Sequence, residues 1–145
     1  MAIWRQPITV DDLNQYQQHT LVTHLGIRYT EVGEDYLKAV MPVDARTKQP
    51  AGILHGGASV ALAETLGSTG ANLMVDRQQK LCVGLDINAN HVRAMRSGQV
   101  TGTARPLHIG KTTQVWEIKI TNDEEKLVCV SRITLAVLDR SSFQG

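Results

Sequence analysis

The chain of 145 residues carries a formal net charge of +1, so bulk charge gives no reason to expect binding to nucleic acid or to a membrane surface. Two tryptophans, three tyrosines and one phenylalanine are too few for a base-stacking surface. The hydrophobic fraction of 42% is enough for one core, and the length fits a single domain over residues 1–145.

The N-terminal residues 1–7 contain no apolar stretch of the kind that a signal peptide needs. Cys82 and Cys129 lie in apolar, strand-like runs, which predicts reduced core cysteines rather than a disulfide. The longest apolar stretch of the chain holds too many polar groups for a membrane span. Together these features predict a cytoplasmic protein.

The first structural signal is Thr9, followed three residues later by Asp12, which is close to a capping box at a helix start. Leu13 and Tyr16 then fall three apart, as on one face of a helix. We therefore expect a short surface helix within residues 9–19. Its pattern contains no polar constellation, so its expected role is to close one end of the fold.

Two strands, at 27–32 and 36–42, are predicted on either side of a short turn that contains a glycine. The loop over residues 43–54 follows them. It delivers Gln49 and His55 to the start of a long helix.

This helix organises the chain. About 18 residues that follow the His-Gly-Gly sequence at 55–57 read as helical, and they are apolar on all sides, which predicts a helix inside the core. Glu64 lies in its middle, where a carboxylate is costly unless it is paired, neutralised or useful. Ser68 lies one turn further and shares the face of Glu64.

Four more strands are predicted after a polar turn, and their close spacing favours antiparallel pairing. Their predicted bounds are 81–91, 99–107, 113–121 and 127–138. The last of them is apolar on both faces, which predicts a central strand. One buried helix against a curved antiparallel sheet is an α+β fold. Gly67 and Gly70 each cost the helix about 1 kcal/mol relative to alanine, which we interpret as the cost of close packing on the sheet.

Three runs of the sequence carry a family resemblance. They are Thr-Lys-Gln-Pro-Ala-Gly-Ile-Leu-His-Gly-Gly-Ala-Ser-Val-Ala-Leu-Ala-Glu at 47–64, Gly-Leu-Asp-Ile-Asn-Ala-Asn-His-Val-Arg at 84–93 and Pro-Leu-His-Ile-Gly at 106–110. The chain resembles the acyl-CoA thioesterases of the hotdog fold, in which a curved antiparallel sheet wraps a long central helix. It is most similar to the branch that contains the bacterial 1,4-dihydroxy-2-naphthoyl-CoA thioesterases and the proofreading thioesterases of enterobactin synthesis.

The resemblance implies hydrolysis of an aromatic acyl-CoA, foremost 1,4-dihydroxy-2-naphthoyl-CoA in menaquinone or phylloquinone synthesis. The alternative within the family is removal of misloaded aryl groups from a carrier protein. Two further alternatives are a non-catalytic acyl-CoA binding module and a CoA-dependent hydratase. Glu64 argues against the binding module, and no hydratase-like His/Asp pair is found.

Glu64 is the predicted catalytic acid. Thioester hydrolysis needs a base that activates water or a nucleophile that forms an acyl intermediate, and a carboxylate in an apolar site serves either role. The alternative is a structural glutamate, hydrogen-bonded in the core. Ser68 is predicted to hold Glu64 or its water, or else to donate back to the helix carbonyl four residues earlier.

The backbone N–H of Gly56, at the helix start, is the predicted donor to the oxyanion of the transition state. Gln49 and His55 are expected to orient the thioester or a water molecule. In the resembling enzymes the same positions serve the reaction.

Further residues are predicted, by resemblance, to surround the acyl group, pantetheine and nucleotide of CoA. They are Gly84, His91, Val92, Arg93, Ala94, His108, Ile109, Gly110, Lys111, Thr112 and Thr113. Arg93, Lys111 and, as a weaker candidate, Arg96 could contact the phosphates. No metal site is expected, because the histidines lack ligand spacing. No cofactor is expected either, since CoA is part of the substrate.

The chain is expected to form a symmetric homodimer that continues the sheet, and the resemblance implies that two dimers pair into a homotetramer. One straight helix can hardly bring both Glu64 and the Gly56 N–H to one thioester. Each active site is therefore predicted to combine Gln49, His55 and Gly56 of one subunit with Glu64 and Ser68 of the other.

Overall fold

The computed structural model describes residues 1–143, which fold into helices on one side of a single antiparallel sheet. The helices are α1 (Val10–Tyr16), α2 (Leu21–His24), α3 (Gly56–Leu73) and a 3-10 helix (Arg140–Phe143). The strands are β1 (Arg28–Val32), β2 (Leu37–Pro42), β3 (Lys80–His91), β4 (Gln99–Ile109), β5 (Thr113–Thr121) and β6 (Leu127–Asp139). The sheet order is β1-β2-β4-β5-β6-β3, with all neighbours antiparallel. The predicted hotdog architecture is confirmed, and β6 is an internal strand as expected.

Small residues let α3 lie directly on the sheet. A Cβ atom added to Gly67 would lie 2.5 Å from Cγ2 of Ile133, and one added to Gly70 would lie 2.7 Å from Cζ3 of Trp116. Both distances are shorter than a carbon–carbon contact allows. The interpretation of these glycines as packing positions is therefore confirmed.

The two faces of the sheet differ sharply in polarity. On β5, Trp116 and Ile118 are fully buried under α3, whereas Glu117 and Lys119 alternate with them on the outer face. Glu117 pairs across the sheet with Arg132 of β6. In a single chain, charged side chains on this face of β5 and β6 therefore meet water.

The prediction of a helix surrounded by core is wrong for the single chain. The sheet covers one side of α3, where residues such as Leu62 and Leu66 are fully buried. The opposite side is open, and Glu64 on that side is exposed. The apolar residues Val60 and Ala61 made the sequence look uniformly buried, but they are only partly covered.

The N-terminal helix begins as predicted, since Thr9 and Asp12 exchange both hydrogen bonds of a capping box at 3.1 Å. The four-residue helix α2 was not predicted, and it begins with the hydroxyl of Thr20 accepting from the N–H of Val22 at 3.2 Å. Within residues 1–143, no helix is long and apolar enough to span a membrane.

Both cysteines are free and buried, as predicted. Burial raises the pKa of the Cys82 thiol to about 11 and also raises the pKa of Cys129. Both side chains are therefore neutral thiols at physiological pH.

We expect Gly70→Ala to lower the free energy of unfolding by about 1–3 kcal/mol, because the added methyl group must displace the Trp116 ring. This cost exceeds the gain in helix propensity of about 1 kcal/mol. In a Trp116→Phe background the same substitution should cost less, since phenylalanine lacks the outer ring atoms. Urea unfolding of the four proteins measures both effects, and a Gly70→Ala protein more stable than its parent would contradict the packing argument.

Candidate active site

The open side of α3 forms one wall of a groove with a volume of about 800 Å³, and α1 and α2 form the opposite wall. Apolar side chains line most of it. They include Ile8, Leu13, Leu21, Val22, Val60, Ala61, Leu73 and Leu81. The prediction that α1 only closes one end of the fold missed a second role, because α1 also lines this groove.

Glu64 lies on the groove with its carboxylate exposed. Among residues 1–143 this carboxylate has no hydrogen-bond or ion-pair partner, so it is not the core-bonded structural glutamate that was the alternative. Gly84 of β3 lies against it, since a Cβ atom there would be 2.8 Å from Oε2 of Glu64. The β3–β6 pairing shifts register between Gly84 and Asp86, a bulge at the edge of the sheet next to the carboxylate.

Ser68 lies one turn beyond Glu64 and also lines the groove. Its hydroxyl forms no hydrogen bond within the described part of the chain, neither to Glu64 nor to the helix. Back-bonding occurs instead at Thr65, whose hydroxyl donates to the carbonyl of Ala61 at 2.7 Å. Ser68 therefore keeps its hydrogen-bonding capacity for something in the groove.

His55 caps the start of α3. Its Nδ1 accepts a hydrogen bond from the N–H of Gly57 at 2.8 Å, and its carbonyl accepts from Ala58 at 3.0 Å. A neutral imidazole whose Nδ1 accepts carries its proton on Nε2, so the other side of the ring is a donor. The N–H of Gly56 finds no acceptor within residues 1–143, which leaves it available to a ligand.

Gln49 is held in the loop that leads into α3. Its Oε1 accepts from the N–H of Ala51 at 2.5 Å, and the N–H of His55 donates to the carbonyl of Thr47 at 2.8 Å. The side-chain NH₂ of Gln49 has no acceptor in the described chain. The loop thus fixes the amide with its donor end free.

The segment 91–94 lies beside the helix start. A Cβ atom on Gly56 would be 3.0 Å from Nε2 of His91, so the two residues are in contact. The N–H groups of Val92 and Arg93 donate to the carbonyl of Val128 at 2.9 and 3.3 Å. These contacts place His91 against Gly56 and hold Val92 and Arg93 on β6.

The β4–β5 hairpin carries the remaining predicted residues, at positions 108–113. It closes with the N–H of Gly110 donating to the carbonyl of Thr113 at 2.9 Å, and Nε2 of His108 lies against Gly110. None of these residues lines the groove. The predicted site therefore falls into three places in a single chain: the groove, the helix start and this hairpin.

The first two places are well separated. Gly56 and Glu64 lie eight residues apart in α3, roughly 12 Å along its axis at 1.5 Å per residue. A reacting carbonyl must lie within about 3 Å of both groups.

No group of three His, Cys, Asp or Glu side chains among the described residues comes together closely enough to hold a metal ion.

Sequence reasoning missed the wall of the groove that faces α3. Leu13, Tyr16 and Leu21 line that wall. The sequence did carry a signal for this wall, because an ordinary surface helix does not need these apolar residues. In the structure the Tyr16 and Leu21 side chains remain 72% and 63% exposed.

Comparison with known proteins gives a family. Residues 51–129 match the Thioesterase superfamily. The chain is 51% identical to the 1,4-dihydroxy-2-naphthoyl-CoA hydrolase of Escherichia coli, over 94% of this chain and 99% of that protein. It is 50% identical to the proofreading thioesterase EntH of Cronobacter turicensis, over 94% and 98% of the two chains. A Vibrio cholerae protein, named only provisionally as an esterase, is 60% identical over 94% of this chain and 91% of its own length.

Solved structures agree with the family. A crystal structure of a thioesterase from Haemophilus influenzae, 52% identical, superposes with a TM-score of 0.91 and covers 94% of this chain and 95% of that one. The superfamily match spans more than half of the chain, from the loop before α3 into β6, and includes Glu64 and the helix start. The chain therefore belongs to the thioesterase superfamily, has its hotdog fold and is a thioester hydrolase.

Proposed function

We propose that this thioesterase hydrolyses an aromatic acyl-CoA, with Glu64 as base or nucleophile. The observation that carries the proposal is the Glu64 carboxylate, which lies without a partner among residues 1–143 on a groove whose surface is mostly apolar. No cation pairs with this carboxylate in the described chain, although Arg77 and Arg140 also line the groove, and the apolar part of the walls suits a flat acyl group. The leading substrate is 1,4-dihydroxy-2-naphthoyl-CoA, as in the Escherichia coli relative.

In the reaction, the thioester oxygen accepts a hydrogen bond from the free N–H of Gly56, which stabilises the negative charge that develops on it. Glu64 either removes a proton from the attacking water or attacks the carbonyl carbon itself. In the second route, water cleaves the resulting anhydride. Both routes break the carbon–sulfur bond, release the acid and give the sulfur a proton, so that free CoA leaves as a thiol. His55 and Gln49 offer N–H donors beside the carbonyl, and Ser68 offers a hydroxyl to the water.

The CoA moiety would extend from the helix start over exposed residues of segment 91–94 and the β4–β5 hairpin. Arg93, Arg96 and Lys111 are exposed, and within residues 1–143 no carboxylate pairs with them at 4.0 Å or less. Unpaired cations of this kind are suited to phosphate groups.

A carrier protein presents the same pantetheine thioester, and the similarity to EntH makes a misacylated aryl carrier the second candidate substrate.

A dimer would complete the site. Strand β3 is twelve residues long, pairs only with β6, and leaves Leu85 63% exposed at its free edge. An unpaired edge of this length favours pairing with a second copy. A two-fold axis across this edge would set two α3 helices antiparallel, so that the start of one faces the middle of the other. Two such dimers would form the homotetramer.

We expect Glu64→Gln to lower kcat by roughly 100- to 10,000-fold, because glutamine keeps the shape of the side chain but cannot accept a proton or form an acyl intermediate. The matched control is Glu124→Gln, the same change in the exposed β5–β6 turn, which should leave kcat unaltered. Thiol release and melting temperature are measured together. Turnover of Glu64→Gln within threefold of the parent would show that Glu64 does not carry the chemistry.

The groove also predicts substrate preference. Benzoyl-CoA and larger aromatic acyl-CoAs should exceed acetyl-CoA by at least about tenfold in kcat/KM, since apolar burial of the ring is worth about 1.4 kcal/mol or more. The panel should include the same acyl groups on a carrier protein, which decides between the two candidate substrates. Equal values for acetyl-CoA and benzoyl-CoA would contradict the aromatic assignment.

The shared site is tested by mixing two inactive variants, Glu64→Gln and His55→Asn. Asparagine is a good helix N-cap, so the second variant keeps the fold of the helix start while removing the imidazole donor. Each mixed dimer would hold one intact site and one doubly altered site. Statistical mixing of equal amounts should restore roughly a quarter of the parent activity. No recovery, with subunit exchange verified by mass, would place each site within one chain.

A further inference from the structure

Two arginines lie together at one end of the groove, and the mechanism described above uses neither of them. Arg77 follows α3 in the polar turn, Arg140 begins the 3-10 helix after β6, and both line the groove. Nε of Arg140 donates to the carbonyl of Arg77 at 2.8 Å, so the two residues are in contact. An apolar acyl group gives these two positive charges nothing to bind.

Each arginine is held by contacts that leave donors of its guanidinium available. The Arg77 guanidinium lies over the Tyr16 ring, 5.0 Å from its centroid, and Tyr16 also lines the groove. The N–H of Arg140 donates to the carbonyl of Gln79 at 2.9 Å, which fixes its backbone. The terminal NH₂ groups of Arg140 donate to no acceptor within residues 1–143. They form the fork that matches a carboxylate.

The carboxylates near these arginines are engaged elsewhere. Asp76 pairs with Arg5 at 3.9 Å, and Asp139 pairs with a lysine at 2.6 Å. Asp12, which also lines the groove, accepts a backbone hydrogen bond at the start of α1. In the described part of the chain, no carboxylate lies within 4.0 Å of either groove arginine. Both charges are therefore available to an anion that enters the groove.

The distance from Glu64 to this end of the groove follows from α3 and β3. The last residue of α3 lies nine residues beyond Glu64, roughly 13.5 Å at 1.5 Å per residue. On the sheet, Gly84 lies against Glu64, and Lys80 is four residues earlier in β3, roughly 13 Å at 3.3 Å per residue. Lys80 pairs with Asp139, the residue before Arg140. The Arg140 backbone is therefore roughly 13 Å from the reacting centre, and its side chain reduces the gap to a ligand.

A long aromatic acyl group can span this gap. With the thioester carbonyl beside Glu64, a single ring stops short of the arginines, whereas two para-linked rings extend towards them. In the proposed dimer the start of the partner helix would face Glu64, so that helix would not extend over the half of α3 that leads to the arginines. A neutral group at the far end would bury guanidinium surface without a partner, which is costly, whereas a carboxylate would pair with it.

We propose that Arg77 and Arg140 bind a carboxylate at the far end of a long aromatic acyl group. The enzyme then also hydrolyses aryl-CoA thioesters that carry a second, distal carboxylate. Water adds to the thioester carbon, the carbon–sulfur bond breaks, and a dicarboxylic acid and the CoA thiol leave, while the distal carboxylate is unchanged. This inference rests on the proposed function, because it requires the acyl group to occupy the groove.

The test follows a ratio of two kcat/KM values, that of 4′-carboxybiphenyl-4-carbonyl-CoA divided by that of biphenyl-4-carbonyl-CoA. The parent ratio should be at least about ten, the effect of one charge-assisted hydrogen bond. Arg140→Gln should lower it by about tenfold, and Arg77→Gln by about threefold, because Arg77 is exposed and water screens its charge. The matched control is Arg132→Gln, the same change of charge on the outer face of the sheet, which should leave the ratio unaltered.

Two further measurements separate charge pairing at this place from a merely structural role. The same ratio for the shorter pair, 4-carboxybenzoyl-CoA over benzoyl-CoA, should be about one or less, because this carboxylate stops short of the arginines and is nearer to Glu64, which repels it. Raising the ionic strength from about 0.05 to about 0.5 M should lower the biphenyl ratio of the parent but not that of the Arg77→Gln/Arg140→Gln double variant.

Melting temperatures verify that the variants are folded, and the exposed Arg77 position keeps the test intact if Arg140→Gln does not fold. Equal values for the two biphenyl substrates in the parent overturn the inference alone, and so does hydrolysis of benzoyl-CoA but of neither biphenyl substrate. An equal advantage of the carboxylate in the short and the long pair overturns its placement at the arginines. A parent protein that hydrolyses no aromatic acyl-CoA overturns the proposed function, and the inference with it.

Discussion

The structure depends on how closely one helix can approach one sheet. Glycines on both surfaces make this possible: Gly67 and Gly70 face Ile133 and Trp116, and a Cβ atom on Gly102 of β4 would lie 2.6 Å from Cδ1 of Leu66. Because α3 lies directly on the sheet, the sheet alone covers the buried face of this helix. The helices α1 and α2 lie opposite the remaining face of α3, far enough away to leave a groove between them.

That geometry explains why polar groups can occupy a central helix without destabilising the core. Apart from Ser59, which is buried, the polar residues of α3 lie on the side away from the sheet, where Glu64 and Ser68 line the groove. The helix start adds a second kind of polar group. His55 satisfies the N–H of Gly57, so the unpaired N–H of Gly56 is exposed by the capping arrangement itself and not by a defect in the fold.

Most of the fold could be predicted from the sequence, because strand periodicity and the capping residues are local signals. The bounds of β5 and the capping box at Thr9 were correct to the residue. The predicted burial of Glu64 was wrong for a physical reason. Apolar residues that line a groove, such as Val60 and Ala61, have the same composition as residues that pack in a core, so periodicity cannot distinguish them.

The site was predicted less completely than the fold. Gln49, His55, Gly56, Glu64 and Ser68 are marked by their positions around one helix, and the structure gives each of them a free hydrogen-bonding group. The hairpin at 108–113 lies away from the groove in a single chain, so its place in the site rests on the proposed dimer.

The burial of the two cysteines has a consequence for an enzyme whose product is a thiol. Thiolates, not thiols, attack disulfides, and Cys82 and Cys129 are 3% and 0% exposed with raised pKa values. Neither side chain can therefore exchange with oxidised CoA or form a mixed disulfide with the released product. We therefore expect the folded protein to react slowly with colorimetric disulfide reagents, so that such reagents count released CoA with little background from the enzyme.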